Sequence, residues 1–321
     1  MKLGTTYLSD AQAWTKAGFE LPRYDRSLVA AKTRSEPEWV HFGAGNIFRA
    51  FPAAVQQKLL DAGKSETGII AVEGFDYEVV EKAYRPFDNL SLLVVLKADG
   101  TIEKKVIGSV VESLVADSSG ADWVRLSQVF TAKSLKMASF TITEKGYSLV
   151  DASGVFLPDV AFDLANGPAL PRSIMGKVTA LCFLRWKAGG APLALASMDN
   201  CSHNGTKLFE AVHALAKKWA EAGLVDAGFV SYLENPKLVS FPWSMIDKIT
   251  PRPDESVKAM LEKAGFEDTG IIVTAKKTWT AAFVNAEEAE YLVVEDWFPN
   301  GRPPLEAGGV IFTSRETVDR I

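Results

Sequence analysis

Two glycines set two residues apart, Gly43 and Gly45, do most to limit what this chain can fold into. They stand in the stretch Val40-His-Phe-Gly-Ala-Gly-Asn-Ile-Phe-Arg-Ala-Phe51. Before them runs a short apolar strand, Val40 to Phe42. After them Phe48, Phe51, Val55 and Leu59 recur at helical spacing, so a helix follows at once. Gly68-Ile-Ile-Ala-Val72 reads as a second buried strand ending at Glu73. Strand, glycine turn, helix and strand form the first half of a parallel nucleotide-binding unit. Where such a turn often has a third glycine, this one carries Phe48.

The glycines matter because a Cβ obstructs either the tight bend or an approaching pyrophosphate. A helix that starts at the turn offers free N–H groups and partial positive charge to phosphate. At the end of the second strand, the Glu73 carboxylate is placed to accept hydrogen bonds from a ribose diol and to repel a 2′-phosphate. That favours NAD over NADP; Asp76 on the following loop is the alternative acceptor. The same turn and acid also suit S-adenosylmethionine in a methyltransferase, and two glycines also occur in bends that bind nothing.

Leu92 to Leu96 and Lys105 to Gly108 flank Asp99-Gly100, whose turn chemistry predicts a hairpin inserted into the parallel sheet. Asp122 is a candidate cap for a helix through Phe130. Lys136 to Thr143 and Leu193 to Ser197 return to the strand pattern. Helices are expected over Ser173–Trp186, from Gly205 to about Ala222, and over Val257–Ala264. Phe229–Leu233 and Leu238–Phe241 read as shorter elements, and Gly270–Thr274 and Tyr291–Val294 as strands. Residues 1 to 38, polar and punctuated by Pro22 and Pro37, read as a surface lead-in.

Three polar blocks end apolar runs. Thr141-Ile-Thr-Glu-Lys-Gly-Tyr147 puts Thr143 and Glu144 beyond a strand's carboxyl end, the ligand side of an open parallel sheet; a capped strand end reads the same way. In Ser197-Met-Asp-Asn-Cys-Ser-His-Asn-Gly-Thr-Lys207, Asn204 suits an N-cap, and Lys207 either meets an anionic ligand or, the favoured reading, faces solvent. Asn200 sits at the strand exit, where its amide either binds an oxygen gaining negative charge or pins the loop. In the block Phe241 to Pro251, Asp247 either pairs with Lys248 in solvent or orients a substrate hydroxyl or catalytic amine.

The formal charge of −5, with 35 basic residues spread along 321, argues against a nucleic-acid partner. No apolar run approaches the roughly 18 residues of a membrane span. Neither a secretory leader nor a disulfide framework is visible, since Cys182 and Cys201 are the only cysteines. The expectation is a cytoplasmic protein. The three histidines, His41, His203 and His213, lie in no pattern of metal-ligand spacing, so no metal is expected.

Taken in order, these blocks resemble the mannitol dehydrogenase family of long-chain polyol dehydrogenases and fructuronate and tagaturonate reductases. Leu21-Pro-Arg-Tyr-Asp-Arg-Ser27, the glycine turn, the blocks at 141–147, 197–205 and 241–251, and Glu295-Asp-Trp-Phe-Pro-Asn-Gly-Arg-Pro303 carry the resemblance across most of the chain. It implies an α/β fold. An extended Rossmann-like NAD(P)-binding domain, with a mainly parallel sheet, hairpin insertion and flanking helices, would occupy 1–312. Residues 313–321 would begin a helical substrate domain. The implied reaction is hydride transfer between a nicotinamide and C2 of a sugar or sugar acid, as in mannonate/fructuronate or mannitol/fructose. In that family an aromatic at Phe48 belongs to the usual turn; Gly43, Gly45 and Asn46 resemble cofactor-turn residues. Asn200 resembles the asparagine that polarises the substrate oxygen, and Asp247 matches a position near the active centre.

One family feature is missing: a lysine followed by five residues, asparagine, two residues and histidine. Asn200 precedes His203 by three, but Ala194 stands where the lysine would be, and Lys276 and Lys277 do not fit the pattern. The resemblance therefore implies an N-terminal portion of a longer enzyme, of low activity alone and with an apolar face available for self-association. The alternatives are a catalytically silent nucleotide-binding protein and a methyltransferase.

Overall fold

A computed structural model describes residues 1–321. Six strands form its central sheet: β1 (Trp39–Phe42), β2 (Ile69–Glu73), β3 (Val110–Val115), β4 (Met137–Phe140), β5 (Leu193–Ser197) and β6 (Val239–Ser240). All neighbours are parallel and the order is 3-2-1-4-5-6, so the direction in which strands are added reverses at a switch point between β1 and β4. This is the doubly wound, Rossmann-like α/β arrangement, in which a crevice opens beyond the carboxyl ends of those two strands.

The strands are mostly apolar because both faces are covered. Val40 and Phe42 of β1 point into one core with Phe130, Val178, Leu181, Leu208, Leu215 and Trp219, from helices Asp122–Thr131, Ile174–Lys187 and Asn204–Glu221. Trp39 points to the other face, where Phe48, Val55 and Leu59 pack with Ile246, Leu292 and Val294. The period-two alternation of a strand thus divides four consecutive residues between two cores.

The inserted hairpin is present, Ser91–Leu96 antiparallel to Ile102–Ile107. A third strand, Phe283–Glu287, joins it in parallel from far along the chain. A separate three-stranded sheet sets Ser244–Lys248 and Ile311–Thr313 on either side of Glu290–Glu295.

Several local expectations give way to tertiary structure. The first helix is two, Asn46–Ala50 and Pro52–Asp61, because a proline drives the residue before it out of helical conformation and Phe51 has φ −125°. The run 229–233 lies in a helix, Ala227–Glu234, capped by the Asp226 carboxylate. Asp122 caps nothing; it is the first helical residue, and its carboxylate accepts from Val115 N at 2.8 Å and pairs with Arg85. The expected strand at 270–274 shrinks to Ile272–Val273. Nor is the lead-in merely superficial: Leu3, Trp14 and Phe19 are buried with Leu90, Phe266 and Phe283 against the inserted hairpin.

Candidate functional site

Gly43 leaves β1 with φ +107°, and a Cβ there would lie 2.0 Å from the carbonyl oxygen of Thr141. The backbones of β1 and β4 meet so closely that only glycine fits. Gly45 differs: its φ is an ordinary −81°, and a Cβ would meet nothing within 4 Å. One glycine makes the turn; the other leaves open space in front of the helix start.

Beneath the turn runs a directed hydrogen-bond chain. Trp39 Nε1 donates to Ser139 Oγ at 2.7 Å, so that hydroxyl is free to donate to His41 Nδ1 at 2.6 Å. His41 Nε2 then carries the proton and donates to Thr141 Oγ1 at 2.8 Å, and Thr141 donates to Gly43 O at 3.3 Å. Burial pushes the imidazole pKa down to about 3, so the ring is neutral, as this chain of donors requires. Phe48 has no exposed surface and stacks on His41. Its expected place among the cofactor contacts is therefore corrected: it serves the turn from within.

Glu73 braces the turn from β2. One carboxylate oxygen accepts from Ala44 N at 3.0 Å; the other accepts from Phe75 N at 2.9 Å and Asp76 N at 3.3 Å. Burial raises its pKa, against those three donors. A carboxylate has about four lone-pair sites, so one acceptor position remains for a further donor. Asp76, the alternative ribose acceptor, is largely buried, and one of its oxygens accepts from Thr274 Oγ1 at 2.6 Å. Asn46 is also engaged within the protein, its Oδ1 accepting from Arg49 Nη2 at 2.9 Å.

Across the switch point the exits of β4 and β5 are tied by a residue the sequence reading did not single out. Asp199 accepts from Ile142 N at 3.0 Å, Thr143 N at 2.9 Å and the Tyr147 hydroxyl at 2.6 Å. Burial raises its pKa, opposing the donors. The knot holds Thr143 at φ +64° and presents the next residue, Asn200, to solvent at the strand exit. The signal for Asp199 was available: an acid two residues beyond the end of an apolar strand.

Other expectations are redistributed. Lys207 does not simply face solvent; it pairs with Glu144 at 2.6 Å, bridging the two strand-exit segments. Asn204 is not the N-cap. His203 occupies that position, and the buried Asn204 amide donates to Asp199 O and Ser244 O, each at 3.0 Å, while accepting from Ser244 N. His203 pairs with Asp319 at 3.0 Å and stacks on Trp243. Asp247 and Lys248 face opposite ways on one strand, so they are no solvated pair. Asp247 is exposed, while Lys248 is buried, donating to Glu287 O at 2.6 Å and pairing with Glu290 at 2.8 Å. The structure brings Gly43, Gly45, Asn46 and Glu73 to one crevice edge and Thr143, Glu144 and Asn200 to the strand exits opposite. Asp247 stands on the separate sheet whose first residue Asn204 anchors.

Comparison with known proteins follows the same lines. Residues 37–307 match the mannitol dehydrogenase Rossmann domain. The chain is 51% identical over 322 residues to the D-mannonate oxidoreductase of Thermotoga maritima, covering 100% of this chain and 59% of that protein. It is 31% identical to the mannitol 2-dehydrogenase of Cereibacter sphaeroides, over 91% of this chain and 56% of the relative. The structure of Pseudomonas fluorescens mannitol 2-dehydrogenase, a ternary complex with NAD and D-mannitol, superposes with a TM-score of 0.77 at 28% identity, over 98% of this chain and 58% of that one. The chain thus spans somewhat more than half the length of these relatives.

Proposed function

Since the chain belongs to the mannitol dehydrogenase family, we propose that it is the cofactor-binding portion, residues 1–312 with the start of a further domain, of an oxidoreductase. The reaction moves a hydride between NAD(H) and C2 of a sugar acid or sugar. The mannonate/fructuronate pair stands ahead of mannitol/fructose, because the D-mannonate oxidoreductase of Thermotoga maritima is 51% identical across this whole chain.

The observation that carries the reading is the division of labour between the two glycines. Gly43 is demanded by the Thr141 backbone, whereas nothing inside the protein demands Gly45; the space before it fits a group that arrives from outside. Gly43, Gly45 and Asn46 would hold the pyrophosphate, and the remaining acceptor position of Glu73 would take a ribose hydroxyl. A second negative charge on that ribose would meet the same carboxylate, which favours NAD over NADP. When bound, the nicotinamide supplies or receives the hydride. Thr143 and Glu144 border the crevice, and the Asn200 amide donates to the substrate oxygen as it gains negative charge. The Asn200 amide is no general acid, and no lysine here stands in the family's full spacing to both asparagine and histidine. This chain is therefore assigned the binding and orienting part of the reaction; Asp247 is held for substrate positioning.

NADH fluorescence titration tests the reading, with NADPH and S-adenosylmethionine in parallel. Saturable NADH binding, weakened by Gly45→Ala, is the expected result. Binding of S-adenosylmethionine with no response to NADH would overturn it. Turnover of fructuronate and of fructose by a longer product that includes this chain decides between the two substrate pairs.

A further inference from the structure

Arg49 lies one helical turn below Gly45, its backbone N–H bonded to Gly45 O at 3.3 Å. Helical side chains lean back toward the helix start, so the guanidinium comes to rest beside the glycine turn. It is 1% exposed. Nη1 donates to Ala281 O at 2.7 Å, while Nη2 donates to Asn46 Oδ1 at 2.9 Å and Thr280 Oγ1 at 2.8 Å. Every acceptor is neutral. Nε has no partner, and no carboxylate lies within ion-pair distance. The Tyr84 ring lies 5.6 Å away, and its hydroxyl donates to Ala44 O of the same turn.

The other fully buried arginine shows what a purely structural guanidinium looks like here. Arg185 spends its N–H groups on five backbone carbonyls, those of Phe130, Ala132, Leu135, Ala191 and Pro192. Arg49 makes three bonds and leaves a buried donor idle. A buried charge without a counter-charge is costly, and the cost falls when an anion arrives nearby.

We propose that Arg49 is the fixed positive charge of the turn, oriented by Asn46 and Thr280, and that the anion it awaits is the diphosphate of the dinucleotide. Arg49 is a positioning residue: it acts on the ligand through Asn46 and through its field, without reaching solvent. The inference rests on the cofactor reading above, and it makes the diphosphate, more than the adenosine, the part of the ligand whose binding depends on position 49.

The test is calorimetric titration of the chain with ADP and NADH, with adenosine measured by competition, for the wild type, Arg49→Gln and Arg49→Lys. Circular dichroism checks that each variant is folded. Arg49→Gln is expected to weaken ADP and NADH by about tenfold or more while adenosine changes little, and Arg49→Lys, which keeps the charge, to stay within about tenfold of the wild type. If ADP binds the wild type and folded Arg49→Gln alike, or if adenosine and ADP weaken together, the role of Arg49 falls while the cofactor reading stands. If the wild type binds neither ADP nor NADH, both fall. Should Arg49→Gln not fold, Arg49→Lys decides alone: a loss of ADP affinity beyond about tenfold overturns the charge account, and a smaller one supports it.

Discussion

The rings of His41 and Phe48 stack with centroids 4.1 Å apart and planes within 8° of parallel. One residue lies in the first strand and the other in the first helix, so the stack fixes the angle at which the chain passes through the glycine turn. A third glycine would let helix and strand approach closely. Here an aromatic pair fills the gap instead, with the imidazole held edge-on by Ser139 and Thr141. Phe48→Ala is accordingly expected to destabilise the protein by about 3–5 kcal/mol, the range for deleting a buried phenyl ring. Urea unfolding measures it. A loss below about 1 kcal/mol would mean that the stack is incidental.

His41 also makes the fold sensitive to acid. Its pKa in the folded chain is about 3, against an ordinary 6.5. A depressed folded value means that the stabilisation is complete above about pH 6.5 and is lost as pH falls toward 3, because only the unfolded chain takes up the proton. Each pH unit inside that window is worth about 1.4 kcal/mol, so the loss between pH 6 and pH 4 from this residue is about 2.5 kcal/mol. His41→Asn, though less stable at neutral pH, should show a shallower decline over the same interval. Parallel slopes for the two proteins in pH-dependent urea unfolding would remove His41 as the cause.

The two glycines separate stability from binding. Gly43→Ala sets a Cβ 2.0 Å from a backbone oxygen at a φ that L-residues avoid, and about 3–5 kcal/mol of stability should go with it. Gly45→Ala meets no atom of the protein, and as a cap substitution it should cost about 1 kcal/mol or less. Its effect should appear in NADH affinity, lowered about tenfold or more because the methyl occupies the space a phosphate needs. Melting temperature and NADH titration on both variants suffice. Wild-type affinity in Gly45→Ala would show that the open space is not where the ligand goes.

Much of this arrangement was legible in the sequence because it is local. Apolar runs of four or five residues between turns are strands covered on both faces, and Asp99-Gly100 marks a hairpin by turn chemistry alone. What the sequence hid depends on partners far along the chain. Phe283–Glu287 pairs in parallel with Ser91–Leu96, and nothing in either segment names the other. Asn204 has the propensity of a cap, yet a buried amide that can satisfy Asp199, Ser244 and Gly205 gains more by turning inward, which leaves His203 at the cap in left-handed conformation. Glu73 was correctly placed at the strand end; its role in holding Ala44 depends on the close approach of two loops. Arg49 was hidden for the same reason, since it is defined by the Thr280 hydroxyl and Ala281 carbonyl that it meets from far along the chain.

Asp199 ties together the two strand exits that border the crevice. Its two oxygens face only donors: Thr143 N on one, Ile142 N and the Tyr147 hydroxyl on the other. In Asp199→Asn one oxygen becomes an NH2 group. If the remaining oxygen keeps Thr143, the new donor confronts Ile142 N–H, and flipping the amide merely moves the conflict to Thr143. A buried donor left unsatisfied costs about 1–3 kcal/mol, and that is the expected loss at neutral pH. The pH dependence runs opposite to that of His41. Because burial raises the folded pKa of Asp199 above its ordinary 3.8, its contribution is complete below that value and is lost as pH rises through the raised one. The gap between wild type and Asp199→Asn should therefore narrow as pH rises through this window and be widest in acid. The variant should also slacken the segment that carries Asn200, so in a longer, active product kcat should fall more than NADH affinity. A stability difference that does not change with pH, or equal losses in kcat and NADH affinity, would show that Asp199 is only one more core contact.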